Sequence, residues 1–325
     1  MSTQPNNFVH LNVHSHYSLL AALPKIPDLI EAAKEDGMTA IALTDNGSLY
    51  GAIEFYKDCK KAGIKPIIGV HAYIAARSRK DKQAGVDNRR TRLILLAKDH
   101  AGYKSLVKLV TISHFDGFYY KPRLDRELIS QYPAGLVCII PSLGGEVAAA
   151  LRGAAGPEAP EAQEKAREII AFYKTTYGAE NVFLEITHHT GIEGHEALME
   201  HIIAIAKATN TPLVAAHDIY YISPDDKQAR NTLMMVNSSG DGGDRGGNGG
   251  LGADDTDFSF MTTKKMEKLF KKDAAIGAEA LANTAKIAAM CNLDLTLGKW
   301  LFPNYIVESG RSYDDELRFL AYEGI

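Results

Sequence analysis

Cysteine is scarce: Cys59, Cys138 and Cys291 are the only three in 325 residues, an odd number with no CxxC spacing. That excludes a disulfide framework and a thiolate zinc site. Each cysteine sits in an apolar or helical stretch that suits a buried free thiol in a reducing compartment. No apolar run is long enough to cross a membrane, and the opening "MSTQPNNFVH" has neither the basic nor the apolar region of a secretory signal. A cytoplasmic location is expected, and the N-x-S sequons at Asn46 and Asn237 carry no meaning there. Excess positive charge is lacking too. Lys and Arg total 36 against 40 Asp and Glu, a formal charge of -4, which argues against a dedicated nucleic-acid-binding module. The one concentrated basic stretch, "RSRKDKQAGVDNRRTR" at 77–92, reads first as a solvated loop and second as a phosphate-facing surface.

What is present is ordinary globular composition, 46% apolar and 23% charged, in a chain long enough for one large domain or two smaller ones. Short β-branched runs alternate with longer amphipathic ones. "FVHLNV" (8–13), "AIALTD" (40–45), "KPIIGVHAYIA" (65–75), "TRLILLA" (91–97), "LVCIIPS" (136–142), "VFLEITH" (182–188) and "PLVAAHD" (212–218) read as strands. Several are apolar nearly throughout, as parallel strands covered on both faces are. Helical patterns fill 27–36, 49–62, 102–113, 162–176 and 195–209, with Gly37, Gly63 and Gly178 as stop signals. The alternation predicts α/β architecture with right-handed crossovers, and seven strands favour a closed or nearly closed barrel. His14, Asp45, His71, Ser142, His188 and Asp218 fall at or near strand C-terminal ends, which converge on one face in a β/α barrel.

Beyond Asp218 the pattern loosens. Residues 237–252, "NSSGDGGDRGGNGGLG", read as a flexible loop that lacks the GK[ST] of a phosphate-cradling loop. "DFSFM" suggests a short strand, and 274–291 a helix. The end, "SYDDELRFLAYEGI", reads as an amphipathic helix cut off midway, so the chain is expected to be the N-terminal piece of something longer.

Four stretches carry a family resemblance: "FVHLNVHSHYSLL", "ALTDNGSLYGAIEFYKDCKKAGIKPIIGVHAYIA", "LLAKDHAGYKSLVKLV" and "HFDGFYYKPRLD". The chain resembles the polymerase-and-histidinol-phosphatase (PHP) domain, in the branch that opens bacterial replicative DNA polymerase III alpha subunits. The resemblance implies a distorted seven-stranded (β/α)7 TIM-like barrel over 1–290, with 291–325 beginning the linker and helix towards polymerase domains. It also implies up to three metals at the strand ends, where closely spaced divalent ions activate water for 3′–5′ exonuclease chemistry.

Position by position, the implied ligand set is incomplete. Its opening HxH falls on Asn12 and His14, an aspartate on Ala21, a histidine on Asn46 (after a retained Asp45), a glutamate on His71, a cysteine on Ser142 and the closing D-x-H on Asp218 and Tyr220; His114 is retained. Asn, Ser, Tyr and Ala are poor replacements for anionic or imidazole donors. The expected vestigial or weak metal set is His14, His71, His114 and Asp218, with Asp45, His16 and His217 in support. Lys121 and Arg123 are candidates for a phosphate or interdomain contact.

The blander alternatives are a His14–Asp218 hydrogen bond, Asp45 capping a helix near Leu49, and "YYKPR" as a loop whose proline fixes the entry to the next helix. No tightly bound cofactor is expected, at most a single zinc or manganese ion, with magnesium belonging to the absent polymerase domains. The favoured role is scaffolding: bracing the downstream polymerase domains of the same chain, offering a surface to a proofreading exonuclease, and meeting DNA only through the full-length protein. The alternative is a metal-dependent 3′–5′ exonuclease or phosphoesterase with a rearranged site. Whether the fragment is an enzyme stays open at this level, though it lacks polymerase chemistry of its own. "GFYYKPRLD" argues against a free-standing phosphatase.

Overall fold

Helix punctuation follows the chain's own signals. Pro27 opens the first turn of α1 (Ile26–Glu35), and Gly37, at φ 76°, turns the chain out of it. Gly63, also at φ 76°, closes α2 (Ala52–Ala62). Asp99 caps α3 (His100–Phe115) by accepting from the Gly102 amide, and Asp125 caps α4 (Arg126–Gln131) through the Leu128 amide. The structure, a computed structural model, describes residues 8–153, 156–238, 256–300, 302–303 and 305–324. The remaining helices are α5 (Glu146–Leu151), α6 (Pro160–Tyr177), α7 (His195–Ala208), α8 (Lys227–Ser238), α9 (Thr263–Leu269), α10 (Ala274–Met290) and α11 (Tyr313–Glu323). Among the described residues, no helix is long and apolar enough to cross a membrane. All but the first two residues of the glycine-rich stretch 237–252 lie outside the described residues.

The strands are β1 (Ala40–Leu43), β2 (Lys65–Ala75), β3 (Arg90–Ala97), β4 (Phe118–Tyr119), β5 (Lys121–Leu124), β6 (Leu136–Ile140), β7 (Val182–Ile186) and β8 (Leu213–Ala215). They form one curled sheet in the order β4-β5-β2-β3-β6-β7-β8, with β1 on the first half of β2. The expected barrel is therefore met in its coarser form, a mixed α/β fold with a curled half-barrel sheet. Residues 8–13 do not form the strand expected of them. They run extended beside the sheet, with backbone hydrogen bonds from Ala42 and Thr44 to His10 and Val13 on one side, and between His14, Asn12 and Ile219 on the other.

Four further expectations change. β3 is antiparallel to both β2 and β6, because only a loop joins Ala75 to Arg90 and no crossover helix is available to reverse it. "YYKPR" is not a plain loop but part of the β4–β5 hairpin, turning at Tyr120 with φ 60°. "DFSFM" contributes a single bridge, Tyr221 to Ser259, rather than a strand. The basic run 77–92 is also far from solvated throughout: Arg79 is buried against Asp125 at 2.8 Å, Arg77 pairs with buried Asp87 at 2.6 Å, and Arg92 is 5% exposed.

Inside the curl, Ile67, Ile94, Leu96, Val137, Ile139, Phe183 and Val214 pack with Val9, Leu11, Ala40 and Ala42. Ile287, Ala288 and Cys291, from α10 and just beyond it, join them. Lys65, at the start of β2, donates to the Ala288 carbonyl, which puts α10 at the end of the curl opposite the C-terminal ends of the parallel strands. Cys59, Cys138 and Cys291 are buried free thiols. Residues 294–325 form a second unit carrying α11, whose N-cap Ser312 accepts from the Asp315 amide.

Candidate functional site at the strand ends

Side chains alternate along a strand, so the residue two beyond a core position shares its face. Ile67 lies inside the curl, and His71 follows on the same face; Phe183 is followed by Glu185, and Ile94 is preceded by Arg92. Because β3 runs antiparallel, its first residues lie beside the last residues of the parallel strands, and Arg92 arrives at the same end as His71 and Glu185. All three are buried. Glu185 and Arg92 are absent from the sequence-derived set. Glu185 was legible as the lone carboxylate in "VFLEI"; Arg92 was hidden by the assumption that β3 runs parallel.

An inner polar layer spans the strand ends. Asp218 accepts from Asn12 Nδ2 at 2.8 Å and sits 3.3 Å from His189 Nε2. Asn12 also reaches Glu185 at 3.3 Å. The other Glu185 oxygen accepts from the Ser142 amide at 3.0 Å and its hydroxyl at 3.1 Å. Thr187 Oγ1 then links Ser142, at 2.8 Å, to His195 Nε2, at 3.0 Å. Burial raises the Glu185 carboxyl to about 8, and the neighbouring Asp218 charge adds to the effect. Asp218 keeps its charge: burial opposes ionisation, but His189 holds it below the usual carboxylate range. The pair thus carries one negative charge at neutral pH.

The predicted ligand residues are spread over this layer and its surroundings. His14 Nε2 lies 3.0 Å from His71 Nδ1, so each ring uses one nitrogen on the other, and His14 Nδ1 is 3.2 Å from the Ile219 carbonyl. Burial lowers His14 to about 3 and His71 well below its ordinary value, and the Arg92 charge reinforces both shifts. His114 stands apart on α3, 3.0 Å from the Gly47 carbonyl. Asp45 caps no helix; it accepts from the Ser15 amide, the Ser15 hydroxyl and the Ser18 hydroxyl, and burial raises it to about 6. His16 packs on Tyr17, and His217 faces His189, with burial lowering His217 to about 3. Lys121 lines a cavity over the layer, but Arg123 does not reach it. Arg123 is fully buried and donates to the carbonyls of Gly117, Asp87, Arg79 and Asp81, so it is not available to a phosphate.

Three of the positions where the resemblance implies lost ligands now contact arginine. Asn46 Oδ1 accepts from Arg92 at 2.8 Å. The Ala21 carbonyl accepts from Arg230 Nε at 3.3 Å. Tyr220 stacks on His14 with ring centroids 4.1 Å apart and carries the Arg230 guanidinium 4.3 Å from its centroid. This donor set does not fit a multinuclear metal cluster. The facing nitrogens of His14 and His71 are spent on each other, both Asp218 oxygens have partners, and two guanidiniums already supply positive charge. Among the described residues, no group of three or more His, Cys, Asp or Glu side chains could hold an ion.

A family model described as the PHP domain matches residues 10–189. The DNA polymerase III subunit alpha of Borreliella burgdorferi is 36% identical over 323 residues, which are 98% of this chain and 27% of that protein. The Treponema pallidum subunit is 34% identical over 321 residues, 98% of this chain and 26% of that protein. The chain thus spans little more than a quarter of the length of these relatives. Among solved structures, an amidohydrolase from Chromobacterium violaceum aligns over 65% of this chain and 87% of its own, at 12% identity and a TM-score of 0.42.

Proposed function

The chain belongs to the PHP domain family and is homologous to the N-terminal region of DNA polymerase III alpha subunits, and from that premise we propose that it is a non-nucleolytic structural domain of a replicative polymerase. Its role is to brace the polymerase domains of the same chain during cytoplasmic DNA replication, with nucleotide transfer and its magnesium residing in those domains. A proofreading exonuclease subunit is the partner this reading offers it. The hydrogen bonds on both sides of residues 8–14 support reading the curled sheet as a distorted seven-stranded barrel with an irregular seam.

The observation that carries the proposal is the replacement at Asn46, Ala21 and Tyr220, where ligand positions have become arginine contacts. Vestigial donors His14, His71 and Asp218 remain as a hydrogen-bonded layer that positions the strand ends; His114 anchors the loop at Gly47. The test is hydrolysis of 3′-labelled single-stranded DNA by the purified chain with manganese. No turnover above a mock preparation is expected. Turnover abolished by His114→Ala would overturn the proposal in favour of a rearranged metal-dependent exonuclease. Turnover that survives both this change and Asp218→Asn belongs to a contaminant.

A further inference from the structure

A cavity of about 350 Å³ opens over the arginines, at the small end of ligand-pocket sizes. Its floor is cationic. Arg92 and Arg230 are buried, 5% and 7% exposed, and Lys121 adds an ammonium at the wall. Arg92 is held in place by Asn46 and by the Tyr73 ring 3.9 Å from its guanidinium carbon. Arg230 is fixed through its Nε and through Tyr220 and Phe258, which leaves both its Nη groups without a protein acceptor among the described residues. Ser48, 3% exposed, also lines the cavity, and its hydroxyl has no partner among the described residues. Preplaced donors of this kind match a phosphate, which offers several acceptor oxygens to a planar guanidinium fork.

The rim has a different chemistry. Tyr50, Phe118 and Tyr120 line the opening and are 60%, 50% and 43% exposed, an unusual concentration of solvent-facing rings. Aromatic faces beside a cationic groove are the arrangement on which nucleobases stack. Gly47 keeps the wall between floor and rim thin. At φ 63°, a Cβ there would meet Pro122 at 2.9 Å and Tyr73 at 3.1 Å.

We propose that this cavity binds a single nucleoside monophosphate unit without metal, its phosphate on Arg230, Arg92 and Lys121 and its base against the rim aromatics. The volume admits one such unit, free or at the end of a strand, and not a length of polynucleotide. The inference deepens the metal-free reading of the same site and rests on it.

The experiment is calorimetric titration of the whole chain in chelator with dAMP, deoxyadenosine, inorganic phosphate and 5′-phosphorylated oligo(dA), repeated with manganese. Saturable binding of dAMP or of the oligonucleotide in chelator is expected, at least tenfold tighter than phosphate or deoxyadenosine alone; whichever binds tighter names the source of the unit. Lys121→Ala and Tyr50→Ala change side chains at the wall and rim, and each is expected to weaken binding at least tenfold while the melting temperature stays put. Unchanged affinity in both variants overturns the proposal. Binding seen only with manganese overturns this inference and the metal-free function together. No binding under either condition overturns this inference alone and leaves the structural-domain reading standing.

Discussion

The inner polar layer and the cavity above it lie at the same end of one sheet, yet they satisfy opposite rules. In the layer, His189, Asp218, Asn12, Glu185, Ser142, Thr187 and His195 form one continuous hydrogen-bonded chain that ends at the two histidines, and among the described residues only Asn12 Oδ1 and His195 Nδ1 along it find no partner. In the cavity, the Arg230 Nη groups and the Ser48 hydroxyl have no acceptor among the described residues. A buried polar network whose members bond chiefly to one another rigidifies a core, whereas preplaced donors left open are a binding surface. On the reading proposed above, the strand ends divide: residues nearest the sheet interior hold structure, and those facing outward present positive charge to the cavity.

Acidification should act with the largest effect, on the fold's buried histidines, with His195 of the inner layer among them. His14 and His217 are lowered to about 3, and His10 and His195 to about 4, in each case chiefly by burial. They are neutral in the fold, whereas the unfolded chain takes up protons below about 6.5. Stability is therefore complete above that value and lost as pH falls towards 3–4, by about 1.4 kcal/mol per histidine per pH unit. Urea titrations at pH 7.5 and 5.5 should show a large drop in midpoint, and equal midpoints would refute neutral burial.

Glu185→Ala is the next most damaging change. It strands the Ser142 amide and takes one partner each from the Ser142 hydroxyl and Asn12, at a cost of about 3 kcal/mol. Glu185→Gln sharpens the point through its pH dependence. A carboxyl raised from its ordinary value to about 8 stabilises the fold below the unfolded value near 4.5, and that contribution is lost as pH rises to about 8. The Gln variant should accordingly gain stability relative to the parent between pH 5 and 8. A constant difference across that range would show that Glu185 is ionised in the fold.

Gly47→Ala strains the wall between layer and cavity through a positive φ and a close contact with Pro122, for an expected loss of about 1–3 kcal/mol in thermal or chemical unfolding. Tyr50→Ala, at the exposed rim, should move stability by less than about 0.5 kcal/mol. A larger loss would mean the rim is structural and would erase the contrast between the two regions.

Much of this arrangement was legible in the sequence because its causes are local. Gly37 and Gly63 stop helices where left-handed backbone is required, and the strand runs at 40–45, 65–75, 136–142, 182–188 and 212–218 each contain a strand or most of one. Family motifs led to His14, His71 and Asp218 at the strand ends, but not to the pairing of His14 with His71 rather than Asp218. What escaped depends on contacts distant in sequence. The direction of β3 is set by the lack of a crossover between Ala75 and Arg90, and with it goes the position of Arg92. Arg230 comes from α8, 209 residues after the Ala21 carbonyl it meets, and no spacing rule reaches that far. Arg123 looked like a phosphate contact by charge alone; four carbonyls from distant turns claim it instead.

Metal stoichiometry tests the central claim, that arginine and hydrogen bonds balance the strand-end charges. The chain would be dialysed against zinc or manganese, passed through chelator and subjected to elemental analysis, beside an Asp218→Asn variant. Less than one equivalent retained, with no difference between the two proteins, is the predicted result. Two or more equivalents retained by the parent and lost in the variant would contradict it.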